Sequence, residues 1–137
     1  MPMEQNIELN NLIFRALYHG VDSIRAGGNL IPFVITEKNL QRFVSETLED
    51  SKNKAEEHLL TLKDEHRVAL VYDGFFTVGG IKYDAVFVKG FDRNDEKGIL
   101  FAQRYKQKKL LSKFEVIGNP AIVGYPLNPL YKKQKED

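Results

Sequence analysis

The chain has 137 residues, a net charge of +1 and no Cys, and 42% of its residues are apolar. This length and apolar fraction predict one folded domain and exclude intrinsic disorder for the body of the chain, while the absence of Cys excludes disulfides, thiolate zinc sites and iron–sulfur clusters. No apolar run is long enough to span a bilayer and residues 1–10 are too polar for a signal peptide, so we expect a soluble, cytoplasmic protein.

The small net charge hides a segregation of charge along the chain. Residues 1–66 carry 7 basic and 11 acidic side chains, a net charge of −4, whereas residues 67–137 carry 13 and 8, a net charge of +5. Such a division is typical of an anion-binding face, or of two halves that attract each other as they pack. We favour the second interpretation.

The first half of the chain has a mainly helical pattern. Apolar residues at three- and four-residue spacing predict a helix over 7–26, with Asn6 as its N-cap and a following glycine pair as its stop signal. A short strand is predicted over 30–35. Thr36 is then the expected N-cap of a second amphipathic helix over 37–62.

The second half is rich in Val, Ile, Phe and Tyr, which is typical of strands. The Gly79-Gly80 pair predicts a two-residue hairpin turn, because both central positions of a type I′ turn need positive φ. Strands are predicted over residues 67–78, 81–91, 99–106 and 112–117, with a short fifth over 121–124.

These elements predict an α+β domain over residues 1–131, followed by a frayed, charged tail over 132–137. In this fold the two N-terminal helices pack on one face of a mainly antiparallel sheet of four to five strands. A parallel pairing of Phe33 with Val71 is possible, because the second helix could supply the crossover.

The hairpin register places two carboxylates together. If Val78 pairs with Ile81, Asp73 and Asp84 become diagonal neighbours on one face, with Cα atoms roughly 7–8 Å apart. Two such carboxylates can hold a divalent ion through oxygen ligands or divide into a catalytic acid and base. Four aromatic residues on the opposite face are expected to form core beneath the helices: Tyr72, Phe76, Tyr83 and Phe87.

The strand over 99–106 can present either of two faces to the aspartates. If Gln103 and Tyr105 join them, the four residues make a candidate catalytic cluster, with the two aspartates as candidate metal ligands. If Arg104 and Lys106 join them instead, the result is a structural ion-pair network. The sequence leaves both registers open.

The order of a helix, a strand ending near Asp84 and a strand carrying a polar residue loosely resembles the core of the PD-(D/E)xK nucleases, over about 60 residues. In that family an acid and an acid-or-Gln, any residue, Lys motif hold a metal. Here Lys106 stands three rather than two positions after Gln103. The resemblance implies, as an alternative function, a phosphodiesterase or nuclease that uses Asp73, Asp84 and Gln103 with Mg²⁺ or Mn²⁺.

A basic stretch between residues 104 and 113 contains no acid. Its composition predicts either weak nucleic-acid binding or an edge strand that lysines protect against edge-to-edge pairing. We favour the edge strand, because a dedicated nucleic-acid binder usually carries a higher net charge. The candidate anion-binding residues are Arg104, Lys106, Lys108 and Lys109, with Tyr105 and Phe114 nearby as aromatic partners.

The main functional prediction is a non-enzymatic binding or regulatory module that acts through protein–protein contacts and needs no cofactor. Two helices on one sheet face would leave Val71, Phe75, Val86 and Val88 on the other face. An apolar surface of that size rarely stays exposed in a monomer. We therefore expect a protein partner, or a second copy in a homodimer, to cover part of it, and we expect neither membrane nor nucleic acid as the main partner.

Overall fold

The computed structural model describes residues 6–107 and 113–131 of the chain. These residues form two helices and one six-stranded sheet, which confirms the α+β class and exceeds the expected four to five strands. All neighbouring strands are antiparallel, in the order β2-β1-β3-β4-β5-β6. The elements are α1 (Ile7–Arg25), β1 (Phe33–Thr36), β2 (Leu40–Arg42), α2 (Leu48–Leu59), β3 (Arg67–Val78), β4 (Ile81–Asp92), β5 (Ile99–Lys106) and β6 (Glu115–Gly124).

The first helix, α1, begins and ends close to the predicted residues. The Asn6 side chain accepts a hydrogen bond from the Leu9 N–H at 3.0 Å, which caps the first turn. Gly27 follows the helix with a φ of 98°, a left-handed conformation that favours glycine. Both local signals of the sequence are therefore confirmed.

The predicted helix over 37–62 is wrong in its first half. Thr36 ends β1, and its hydroxyl accepts hydrogen bonds from two following N–H groups, which closes a tight turn into β2. The helix starts only at Leu48, where the Thr47 hydroxyl accepts a hydrogen bond from the Asp50 N–H at 3.0 Å. Residues 40–42 are extended because pairing with β1 satisfies their backbone groups.

The central hairpin of β3 and β4 has the predicted register. Val78 lies opposite Ile81, and the twelve paired positions continue without a break to the far end of both strands. Gly79 and Gly80 have φ values of 57° and 81°. Both turn positions are left-handed, as a type I′ turn requires.

Two other pairings differ from prediction. Phe33 does lie opposite Val71, but in an antiparallel pair. β2 carries the chain back along β1, and α2 returns it to the end of β1, where β3 starts. At the C-terminal edge, the two short strands predicted over 112–117 and 121–124 are one irregular strand, β6, and residue 112 lies outside the described residues.

The two helices lie on opposite faces of the sheet, so the prediction that both share one face is wrong. α1 covers the face that carries Val71, Val86 and Val88. α2 packs through Ala55 and Leu59 on the other face, over β1 and the start of β3. Apolar residues occupy both faces of the hairpin, and for that reason their alternation did not reveal which face each helix would cover.

The C-terminal segment, residues 125–131, packs back on the sheet end. The Asn128 amide donates hydrogen bonds to the backbone oxygens of Asp92 and Asp95, and Leu130 is buried against α2. Within the described part of the chain, neither helix is long and apolar enough to cross a bilayer. The predicted tail over 132–137 lies outside the described residues.

Candidate functional site

Three surfaces of the molecule bear on function, and the first is the predicted carboxylate cluster. Asp84 lies opposite Tyr105 in the β4–β5 pairing, which places Tyr105 and Gln103 on the face of the two aspartates. The Tyr105 hydroxyl donates a hydrogen bond to Asp73 Oδ1 at 2.8 Å. Of the two registers left open by the sequence, the structure has the one that joins Tyr105 to the aspartates.

Burial raises the pKa of two groups in this cluster, Asp73 and Tyr105. Burial raises the pKa of Asp73, and the nearby charge of Asp84 adds to that effect, although the hydrogen bonds from Tyr105 and the Gly74 N–H oppose it. Burial and the bond to Asp73 also raise the pKa of Tyr105. Tyr105 therefore remains a hydrogen-bond donor through the neutral range, held against a carboxylate.

The Gln103 side chain hydrogen-bonds to backbone oxygens of β5 and β6 and not to the aspartates. Its amide nitrogen lies 3.1 Å from the Arg104 backbone oxygen, 3.2 Å from that of Ile117 and 3.1 Å from that of Gly118. Lys106 points to the opposite face of β5. The residues that would complete the nuclease-like arrangement are thus not assembled beside Asp73, and the described residues contain no group of three or more Asp, Glu or His that could hold a metal.

The expected apolar face for a partner is also covered. Val71, Val86 and Val88 are fully buried beneath α1, and of the four residues only Phe75 is exposed, at 62%. This corrects the premise of the predicted homodimer. The uncovered surface lies on the other side of the hairpin, because α2 reaches only one end of that side.

The second surface is this uncovered side, which we call the open sheet face. The cluster around Phe87 contains residues of β3, β4, β5 and β6 only, without a helix. The prediction that its aromatic residues form core beneath the helices is therefore wrong, except that Tyr72 also contacts the α2 cluster. The open sheet face comprises Tyr72, Phe76, Tyr83, Phe87, Arg104 and Lys106.

Basic side chains lie over the aromatic rings of this face. The Lys52 ammonium is 4.4 Å from the centroid of the Tyr72 ring, and the Arg104 guanidinium is 4.8 Å from that of Tyr83. Lys108 and Lys109, the other predicted anion-binding residues, lie outside the described residues. Sequence reasoning missed Lys52, because its helix was expected to turn its charges to solvent.

Tyr105 and Phe114 are not the aromatic partners of the basic stretch. Tyr105 is buried on the α1 side, and Phe114 packs on it with ring centroids 5.7 Å apart. The aromatic partner of Arg104 is instead Tyr83 of β4. The sequence pattern identified Arg104 as a cation beside aromatic residues but assigned it the wrong rings.

The third surface is a groove of about 470 Å³ between α2 and the C-terminal segment. Phe91 and Lys89 form part of its lining, and the Lys89 ammonium lies 2.8 Å from Glu56 Oε2. Leu60 and Leu127 line it while remaining 70% and 76% exposed. We call this the α2 groove.

Sequence reasoning missed the α2 groove, although two leucines in the sequence indicate it. Leu60 lies outside the apolar stripe that includes Leu59 and Leu62, and Leu127 stands close to Pro126 and Pro129. Apolar residues that neither a helix stripe nor a strand alternation explains are candidates for exposed contact positions.

Comparisons with protein-family models, with curated proteins and with solved structures found no match to this chain.

Proposed function

We propose that the protein is a non-enzymatic binding module and that the α2 groove receives an apolar segment of a partner protein. The observation that carries this proposal is the pair of exposed leucines that line one groove, Leu60 at the end of α2 and Leu127 in the C-terminal segment. Exposed leucines are ordinary when scattered, but two that line one cavity offer apolar contact positions among its polar lining residues.

The charge around the groove indicates the chemistry of the segment. α2 contributes Glu56 and Glu57 to the lining, and Glu49 and Asp50 lie in its first turn. Glu56 is matched by Lys89, whereas Glu57 is exposed and, within the described residues, has no cation within ion-pair distance. A partner segment with apolar residues next to Lys or Arg fits this surface.

The experiment is a selection of peptides from a random displayed library against the full chain, followed by anisotropy measurements with the selected peptides. We expect sequences that combine an apolar anchor with basic residues. Leu60→Asp together with Leu127→Asp should weaken their binding at least about tenfold, since a buried apolar anchor contributes more than 1 kcal/mol.

Val44→Asp is the matched control, because Val44 is 70% exposed and does not line the groove. Peptides that bind the groove variant and the wild type equally would contradict the proposal. A second copy of the chain is the other partner predicted from the sequence, and sedimentation velocity of the same variants at micromolar concentration would detect it.

A further inference from the structure

We propose that the open sheet face binds single-stranded nucleic acid, with its aromatic rings as stacking surfaces for bases and its basic residues as phosphate contacts. This inference is independent of the α2 groove. It rests on the arrangement of aromatic and basic side chains on the part of this sheet face that α2 leaves uncovered, since α2 packs only over β1, the start of β3 and the far end of β4.

The aromatic rings form a layer in which Phe87 is buried, at 9% exposed, and the half-buried rings of Tyr72, Phe76 and Tyr83 form the outer surface. Tyr72 and Phe87 are nearly parallel, with an interplanar angle of 14° and centroids 5.4 Å apart, and Phe76 meets Phe87 edge-on at 6.4 Å. Phe87 lies against Gly74, where a Cβ would come within 3.0 Å of its ring. The absence of a side chain at Gly74 thus lets the Phe87 ring lie against the sheet backbone.

The charge of the face is net positive: Lys52, Lys89, Arg104 and Lys106 stand against Glu56, which pairs with Lys52 and Lys89, and Glu115, which lies opposite Lys106 across the β5–β6 pairing. Arg104 and Lys106 follow each other on this side of β5, and within residues 6–107 and 113–131 neither lies within ion-pair distance of a carboxylate. Arg104 lies over Tyr83 instead. A cation held over a ring without a counterion can contact a phosphate without first losing a salt bridge.

Single-stranded nucleic acid matches the aromatic rings and the positive charge of this face better than a protein or a duplex does. Its unstacked bases offer a π-face to each aromatic ring, and its phosphates follow at a spacing that neighbouring cations can contact. A duplex hides its base faces, so it could use only the cations. Protein interfaces are enriched in aromatic residues but depleted in lysine, whereas Lys52, Lys89 and Lys106 border the rings of this face.

The experiment measures anisotropy of a fluorescein-labelled oligothymidylate of about 12 nucleotides with the full chain, at about 50 and about 200 mM salt. Phe76→Leu retains apolar packing but removes a stacking ring, and should weaken binding about tenfold. Arg104→Gln with Lys106→Gln should lower the slope of log affinity against log salt by about 1.4, because two phosphate contacts are lost.

The opposite face of the same hairpin supplies matched controls. Phe75 neighbours Phe76 in sequence but points to the other side, with Lys82 4.2 Å above its ring, so Phe75→Leu with Lys82→Gln makes comparable changes there. This control should bind as the wild type does. No binding at low salt, equal affinity for the duplex or for polyphosphate, or equal losses in the control and the open-face variants would each overturn the proposal.

Discussion

Asp92 is the residue on which most polar contacts at one end of the sheet converge. Asn6, the N-cap of α1, donates to its Oδ2 at 2.8 Å, the Arg67 guanidinium contacts the same oxygen at 3.0 Å, and the Asn94 N–H donates to Oδ1 at 3.0 Å. The side chain is 5% exposed. Because it joins α1, β3 and the loop after β4, a single carboxylate fixes three parts of the fold.

We expect Asp92→Ala to lower the free energy of unfolding by about 1–3 kcal/mol, since it removes a buried acceptor from the half-buried Asn6 amide, the Arg67 guanidinium and the Asn94 N–H. Arg67 retains Glu8 and Glu37 as partners, which limits the loss. Urea denaturation followed by circular dichroism measures it. Asp92→Asn keeps an acceptor oxygen and should lose less; an Ala variant as stable as the wild type would show that these bonds contribute nothing net.

At the scale of the elements, a side chain of β5, Gln103, helps to hold β6 to β5 through hydrogen bonds to its backbone. Its register shifts between Ala102 and Arg104, which leaves Gln103 without a Cα partner at the irregularity. Gly118 adopts a φ of 70° at this point, and the Gln103 amide donates to its backbone oxygen and to that of Ile117. The side chain thereby replaces ladder hydrogen bonds that the irregular register cannot form.

Gln103→Leu should therefore loosen β6 more than the rest of the sheet, at a cost of about 1–3 kcal/mol for carbonyls left without donors. Hydrogen exchange is the suitable measurement, and we expect faster exchange confined to β6 and the facing part of β5. Gln41→Leu, on the exposed strand β2, is the control and should change neither. Uniform acceleration across β3 and β4 would indicate a global rather than a local effect.

The elements also show what local sequence could and could not predict. The hairpin was predicted to the residue because Gly79-Gly80 fixes its turn and the turn fixes every pairing beyond it. The boundary of α2 was missed because the apolar spacing of residues 40–48 is compatible with a helix, whereas their pairing with β1 is a long-range effect. Thr47 with Asp50 was the better cap signal.

The candidate sites were likewise predicted where local sequence fixes them and missed where long-range pairing does. Asp73 and Asp84 could be placed on one face from the hairpin alone, but Tyr105 required the β4–β5 register, which the loop at 93–98 does not fix. The open sheet face could not be predicted, because the covering helix was assigned to the wrong side. A sheet with apolar residues on both faces gives no local sign of which one a helix covers.

At the scale of the whole molecule, the segregated charges meet across the fold. Arg67, from the basic half, contacts Glu8 at 2.6 Å and Glu37 at 2.8 Å, and Lys89 contacts Glu56 at 2.8 Å. These pairs agree with the interpretation that the halves attract each other as they pack. Glu8 is 70% exposed, so its pair with Arg67 contributes at most about 1 kcal/mol.

Three carboxyl groups with shifted pKa values, Asp73, Asp92 and Asp95, determine how stability depends on pH. Burial raises the pKa of Asp73 and of Asp95, and the charges of Asp84 and Asp92 respectively add to it. For Asp92 burial acts in the same direction, but the Asn94 N–H, the Asn6 amide and the charges of Arg67 and His66 outweigh it and lower the pKa. The folded protein thus binds protons more tightly than the unfolded chain at two carboxyls and less tightly at the third.

These opposite shifts predict a maximum of thermal stability in mildly acidic solution. As the pH falls from about 7, Asp73 and Asp95 take up protons first in the folded state, so the melting temperature should rise; below about pH 4, protonation of Asp92 removes its contribution and the melting temperature should fall. Asp73→Asn keeps an acceptor for Tyr105 without the charge, so it should raise the melting temperature near neutral pH. It should also reduce the increase in melting temperature as the pH falls from about 7. Circular dichroism melts between about pH 3 and 8 measure both effects. A wild-type melting temperature that falls steadily from neutral pH, or an Asp73→Asn variant less stable than the wild type there, would show that the Asp73 charge does not oppose folding.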